Sequence, residues 1–243
     1  QGGLDIGVAK IDPSGKLAWA KAFGGAGDDR LFGIAVDDAG DVYLSGDFES
    51  ASVTFEVARA RSGSVHAPFL AKLAHDSGKA LKSVTFDVAS NAGGRCTSVA
   101  ARAGVIALGC SLDGPAGTIA LDTGGTASVA EPPTNAGTAF FFLAELDPTS
   151  LGARWFNTLG AFGADRVEAV ALAPSGDLVF AALTGNSLDG DRLHDAKGSV
   201  NVLAYRAGAA AIGRLSKVNG TSVWTRTFGS TVFGNGMESL SVA

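Results

Sequence analysis

Residues 8–48 read VAKIDPSGKLAWAKAFGGAGDDRLFGIAVDDAGDVYLSGDF, and the pattern of this stretch returns three more times along the chain. The second copy starts at Leu70 (LAKLAHDSGKALKSVTFDVASNAGGRCTSVAARAGVIALGCSL) and the third at Leu143 (LAELDPTSLGARWFNTLGAFGADRVEAVALAPSGDLVFAALTG). A fourth and more divergent copy, AIGRLSKVNGTSVWTRTFGSTVFGNGMESLSVA, begins at Ala211. Separate landmarks keep one order. Phe23-Gly24, Phe86-Asp87, Leu159-Gly160 and Phe228-Gly229 are spaced 63, 73 and 69 residues apart, and Arg30, Arg95 and Arg166 are spaced 65 and 71. Trp19, Trp155 and Trp224 share one repeat position, where the second copy has Lys82.

Within each copy, short apolar runs alternate with turn residues, and helical periodicity is not sustained. Ile34-Ala35-Val36 and Val42-Tyr43-Leu44 flank Asp37-Asp38-Ala39-Gly40-Asp41, where glycine takes positive φ at little cost. Pro174-Ser175-Gly176-Asp177 does the same between Leu172 and Leu178, and Asp12-Pro13-Ser14-Gly15, Asp76-Ser77-Gly78-Lys79 and Val218-Asn219-Gly220 join further strand pairs. Four antiparallel strands per repeat are the signature of β-propeller blades. The expected fold is therefore all-β: a propeller of about three full blades, 31–86, 96–159 and 166–228, with part-blades at 4–23 and 237–243. The tryptophans fall on the fourth strand of a blade and are expected to pack between blades.

Composition agrees. Glycine is 34 of 243 residues, about twice the usual ~7%, without a collagen-like period of three. A net charge of −5, from 19 basic and 24 acidic residues, leaves no basic footprint for nucleic acid and does not suggest disorder. The strongest apolar run, 139–146, is interrupted by Glu145 and falls short of the ~20 residues of a membrane span. The first residue is Gln1 and the only methionine is Met237, which reads as a processed chain or a fragment. A larger ring of about six to eight blades is favoured over a four-bladed ring closed by the terminal strand. Cys96 and Cys110 face each other when their hairpin folds about Ala103. They form either a disulfide, which points to an oxidising compartment, or two buried thiols.

The first copy resembles the SBBP-type bacterial β-propeller repeats. The resemblance is carried by Ala9-Lys10, the Asp12-Pro13-Ser14-Gly15 turn, Trp19, Phe23-Gly24-Gly25, Asp28, Ala35-Val36-Asp37 and Gly46-Asp47-Phe48. It covers nearly the whole chain outside the longer connections. It implies a secreted, periplasmic or surface-attached bacterial propeller, usually non-catalytic, and brings no catalytic residues with it.

Strand polarity places the long connections, roughly 49–67, 113–137 and 185–208, on one face together with the blade-to-blade crossings. Runs such as Val53-Thr54-Phe55 and Thr118-Ile119-Ala120-Leu121 predict added hairpins there. Loops of this length are commonly functional. The candidate binding residues on that face are Asp28, Asp29, Arg30, Arg95, Asp165, Arg166 and Asn235, a set of arginines and polar groups suited to a carboxylate or a sugar. The alternative role for the recurrent arginines is hydrogen bonding that fixes the ring. Asp189, Asp191 and Asp195 have some calcium-loop character without the EF-hand spacing, so Ca2+ is a weak candidate and no other cofactor is indicated. His66, His75 and His194 lie outside metal-ligand spacing and read as surface residues. No nucleophile elbow, phosphate loop or singled-out acid–base pair occurs. The expectation is a non-enzymatic scaffold that binds a protein or glycan at the cell surface. The alternatives are a catalytic propeller, glycan-cleaving or quinone-dependent dehydrogenase-like, and a subunit of a surface layer or filament.

Overall fold

The computed structural model describes residues 2–61, 65–88, 93–113, 118–121, 126–128, 139–159, 166–184, 193–195, 198–200 and 209–228. All regular structure among them is β. An N-terminal hairpin, β1 (Ile6–Ile11) and β2 (Leu17–Phe23), precedes the first sheet. Sheet I is built from β3 (Asp29–Val36), β4 (Val42–Phe48), β7 (Ala67–Leu73) and β8 (Ala80–Val88), with β5 (Ser52–Thr54) and β6 (Ala58–Ala60) inserted between β4 and β7. Sheet II is built from β9 (Gly93–Arg102), β10 (Val105–Asp113), β13 (Ala139–Leu146) and β14 (Ala153–Leu159), interrupted by β11 (Thr118–Leu121) and β12 (Thr126–Ser128). Sheet III contains β15 (Arg166–Leu172), β16 (Leu178–Thr184), β19 (Ala209–Leu215) and β20 (Ser222–Phe228), with β17 (Leu193–Asp195) and β18 (Gly198–Val200) between its middle strands.

Each sheet is an antiparallel meander in chain order. The inserted strands pair as hairpins, as the sequence predicts, and β11 also extends sheet I by pairing with β8. The turns contain the expected left-handed glycines, including Gly40, Gly176 and Gly220.

The sheets pack face to face in sequence order. Ile6, Val8 and Trp19 of the hairpin share a core with Leu44, Phe69, Ala71 and Leu73 of sheet I. The opposite face of sheet I gives Tyr43, Leu70, Val84 and Phe86 to a core with Leu108, Phe142 and Leu146 of sheet II. Sheet II then presents Phe141, Leu143 and Trp155 to Val170, Phe180 and Leu215 of sheet III. Alternation along a strand makes this possible, because neighbouring residues serve opposite interfaces.

The tryptophan position is a lock between successive sheets. Trp19 Nε1 donates to His75 O at 3.1 Å, and Trp155 Nε1 donates to Lys217 O at 3.2 Å, both carbonyls lying in the third-to-fourth-strand turn of the following sheet. The indole rings lie on left-handed glycines of those turns. A Cβ on Gly78 would come within 2.6 Å of Trp19 Cε3, and one on Gly220 within 2.4 Å of Trp155 Cε3. Sheet I carries Lys82 instead of tryptophan, and the matching turn of sheet II carries Leu151 instead of glycine. Leu151 keeps the left-handed backbone, φ 56°, and is fully buried in the core between sheets I and II. The aliphatic side chain fills space that an indole fills at the other two interfaces. Among the described residues Trp224 has no such cover, and it is 37% exposed, against 8% for Trp19 and 7% for Trp155.

Cys96 and Cys110 form a disulfide. The hairpin turns at Ala103-Gly104, and its register pairs Ser98 with Gly109 but Cys96 with Cys110. A β-bulge at Thr97 absorbs the odd residue and brings the cysteines opposite. No helix among the described residues is long and apolar enough to cross a membrane.

Candidate functional site

The starts of β3, β9 and β15 lie at one end of the sheets with the ends of β4, β10 and β16, from which the long connections leave, and the short turns lie at the other. At the long-loop end, the junction of sheets I and II gathers Asp28, Arg30, Asp47, Glu49, His66, Arg95 and Asp113. β3 enters the sheet at Asp29, whose buried carboxylate accepts from Gly25 N at 2.8 Å, Ser50 N at 3.2 Å and Ser50 Oγ at 2.7 Å. Those bonds tie the crossing before β3 to the start of the long loop after β4. Asp29 is thereby an architectural residue.

The next residue, Arg30, forks between two carboxylates. Its Nη2 reaches Asp28 Oδ2 at 2.7 Å and its Nη1 reaches Glu49 Oε1 at 2.5 Å. Across the ladder from Arg30 stands Asp47, at the end of β4, where every side chain is buried. Asp47 is 1% exposed, and among the described residues neither of its carboxylate oxygens accepts a hydrogen bond. Burial pushes its pKa up, against the opposing pull of His66, Arg95 and Arg30. His66 Nδ1 stands 3.3 Å from Asp47 Oδ2 and 3.2 Å from Glu49 Oε1. The imidazole rests on β9, because a Cβ on Gly93 would fall 2.6 Å from His66 Cδ2.

Sheet II closes the other side. Arg95 lies 3.5 Å from Asp113 and sets its guanidinium 5.8 Å from the centre of the Phe32 ring. Phe32 is the extra residue of a β-bulge in β3, and its ring is 43% exposed beside the charged groups. A bulge often re-aims a side chain in this way. Thr97 and Glu168 occupy the equivalent bulges in β9 and β15.

The recurrent arginines do not converge on one point. Arg30 and Arg95 both bear on Asp47, whereas Arg166 bonds to Glu168 of its own strand. Asp165, Asn235, Asp189 and Asp191 lie outside the described residues, and of Asp195 only the backbone, in β17, is described. Among the described residues there is no group of three or more His, Cys, Asp or Glu that could hold a metal ion. Asp47, Glu49, His66 and Phe32 are not among the residues selected from sequence. An available signal was Asp47 itself, a carboxylate inside the otherwise uncharged run Val42–Phe48.

Chemically, the cluster has four carboxylates against two guanidiniums and one imidazole. Both guanidiniums already face carboxylates, so an added carboxylate ligand meets no spare cation. Asp28 and Glu49, each about one-third exposed, instead offer acceptor oxygens to hydroxyl or N–H donors, next to an exposed aromatic face, while the Asp47 oxygens are enclosed. No protein-family model matches the chain, and a search of the curated proteins returns no match.

Proposed function

We propose that the chain belongs to an extracytoplasmic β-propeller, built of the four-stranded sheets as blades, and acts as a non-catalytic scaffold that binds a neutral glycan at its long-loop face. Meander order in every sheet, face-to-face stacking in chain order and the mutual approach of β3, β9 and β15, the first strands of successive sheets, support the propeller reading. The motif resemblance to SBBP-type repeats and the Cys96–Cys110 disulfide support the extracytoplasmic reading.

The observation that carries the binding reading is Asp47. Among the described residues, this carboxylate at 1% exposure has no hydrogen bond on either oxygen and only the His66 ion-pair contact at 3.3 Å, an arrangement that is costly for folding alone. Sugar hydroxyls donating to Glu49 and, once a side-chain movement on binding uncovers it, to Asp47, with a pyranose C–H face against Phe32, satisfy those oxygens and use the ring. The neighbouring Arg30 fork holds Glu49 in place for this contact.

A printed array of neutral and acidic glycans tests the proposal. Wild-type protein binds neutral members, and Asp47→Asn and Phe32→Ala each lose at least ten-fold in affinity while the protein stays folded by circular dichroism. Failure of wild-type protein to bind any arrayed glycan, or unchanged binding by both variants, overturns the reading. Hydrolysis of a bound glycan by the purified chain overturns its non-catalytic part.

A further inference from the structure

Binding at Asp47 requires a side chain to move, and the surroundings of this carboxylate distinguish which one. Three basic side chains bear on it from three elements: Arg30 of β3, Arg95 of β9 and His66, the residue before β7. Arg30 is held by its fork to Asp28 and Glu49. Arg95 is drawn toward Asp113 and the Phe32 ring. Among the described residues, His66 is the one that comes within ion-pair distance of Asp47, with Nδ1 3.3 Å from Oδ2.

Its hold there is weak. Nδ1 is enclosed and, like both Asp47 oxygens, makes no hydrogen bond among the described residues. An imidazole offers at most one N–H at that nitrogen, yet Asp47 Oδ2 and Glu49 Oε1 both stand near it, at 3.3 and 3.2 Å. Turning the ring away breaks no hydrogen bond and gives the carboxylates access to the donors that burial denies them. The backbone under the ring is tied down, because Gly94 N donates to His66 O at 3.3 Å. The motion left is rotation of the side chain between staggered rotamers.

The closed position also depends on Gly93. A Cβ there would fall 2.6 Å from His66 Cδ2, so the ring lies in space that any other residue at 93 would fill. Gly93 is not among the glycines with positive φ, so room for the imidazole, and not backbone freedom, is what glycine supplies at this position.

We propose that His66 is a displaceable cover on the binding site: its Nδ1 stands where ligand hydroxyls donate to Asp47 and Glu49, and the ring turns outward as the sugar enters. This rests on the glycan-binding reading of the long-loop face. A ligand whose neighbouring hydroxyls reach both carboxylates replaces both contacts of Nδ1, whereas one that reaches Glu49 alone leaves the ring in place. The cover makes the binding-competent form a minority state, and apparent affinity falls by the fraction that is open.

Two variants open the cover by different routes. His66→Ala removes the ring, and Gly93→Ala keeps the histidine but pushes its ring aside with one methyl group. Carbodiimide coupling of a small amine, read by peptide mass spectrometry, reports access to each carboxylate with no glycan present. Asp47 reacts slowly in wild type and at least ten-fold faster in both variants. Asp29, buried nearby and accepting three hydrogen bonds, stays protected in all three proteins, which excludes local unfolding. Association with the neutral glycan that binds best on the array, followed by surface plasmon resonance, also speeds up about ten-fold, as for a site that is closed nine-tenths of the time. Asp47 labelling that is unchanged in both variants, or already as fast in wild type as at exposed Asp76, overturns the cover. Faster labelling with unchanged or slower association, while wild type binds, overturns the displacement. Faster labelling with no glycan bound by any of the three proteins removes the glycan reading, and the displacement with it, while the cover over Asp47 stands.

Discussion

Gly220→Ala is the most exacting perturbation of the inter-sheet lock. Gly220 has φ +71°, and its added Cβ would lie 2.4 Å from Trp155 Cε3 and 2.8 Å from Cδ2. An ordinary contact needs the indole to retreat by about 1 Å within a packed interface, the kind of overpacking that costs about 1–3 kcal/mol. Holding an L-residue in the left-handed region adds about 1–2 kcal/mol. Strain on the Trp155 Nε1 bond to Lys217 O brings the total to about 3–5 kcal/mol. Gly104 supplies the control. Its φ is +73°, but a Cβ there meets nothing within 4 Å, so Gly104→Ala carries the backbone cost alone, about 1–2 kcal/mol. Urea unfolding of both variants, repeated in a Trp155→Ala background, isolates the contact by a double-mutant cycle. The lock predicts a coupling of about 2 kcal/mol between positions 155 and 220. Equal costs at 220 and 104, or a Gly220→Ala penalty unchanged by Trp155→Ala, refute the reasoning.

Three further outcomes follow from the same geometry. Leu151→Gly relieves a left-handed backbone yet destabilises by about 2 kcal/mol in urea melts, because the core between sheets I and II loses a fully buried side chain. Replacing both Cys96 and Cys110 by serine costs about 3 kcal/mol, for a bridge closing a sequence separation of 14, and protein purified under reducing conditions shows the same loss. Asp47→Asn stabilises the unliganded protein at neutral pH. The sign follows from the raised pKa: the native state holds the Asp47 proton more tightly than the unfolded chain, so wild type gains stability as pH falls through the native value. The advantage of the variant therefore disappears below the ordinary value of 3.8, which unfolding curves collected from pH 7 to pH 3 measure.

Much of the architecture is legible in the residues because repetition multiplies weak local signals. A single Asp-Asp-Ala-Gly-Asp turn says little, but the same turn recurring between apolar runs assigns strand order, and the sheets follow that order. The disulfide register was harder. Symmetry about Ala103 points to the right pair, while the turn centres between Ala103 and Gly104 and a bulge at Thr97 makes up the difference. Bulges depend on how neighbouring sheets crowd a strand, which a one-dimensional pattern does not show. The candidate site was only half visible for the same reason. Arg30 and Arg95 stand out by spacing, but His66 reads as a surface residue until sheet II places Gly93 against its ring and sheet I places Asp47 beneath it. Leu151 likewise makes sense only beside Lys82, sixty-nine residues away in sequence and matched across an interface.

The binding face is tested most directly by calorimetry with the neutral glycan that binds best on the array, titrated into wild type, Asp47→Asn on the long-loop face and Asp76→Asn on an exposed short turn. The account predicts that Asp47→Asn loses the binding heat while Asp76→Asn matches wild type. Retained binding in Asp47→Asn, or loss in Asp76→Asn alone, contradicts it.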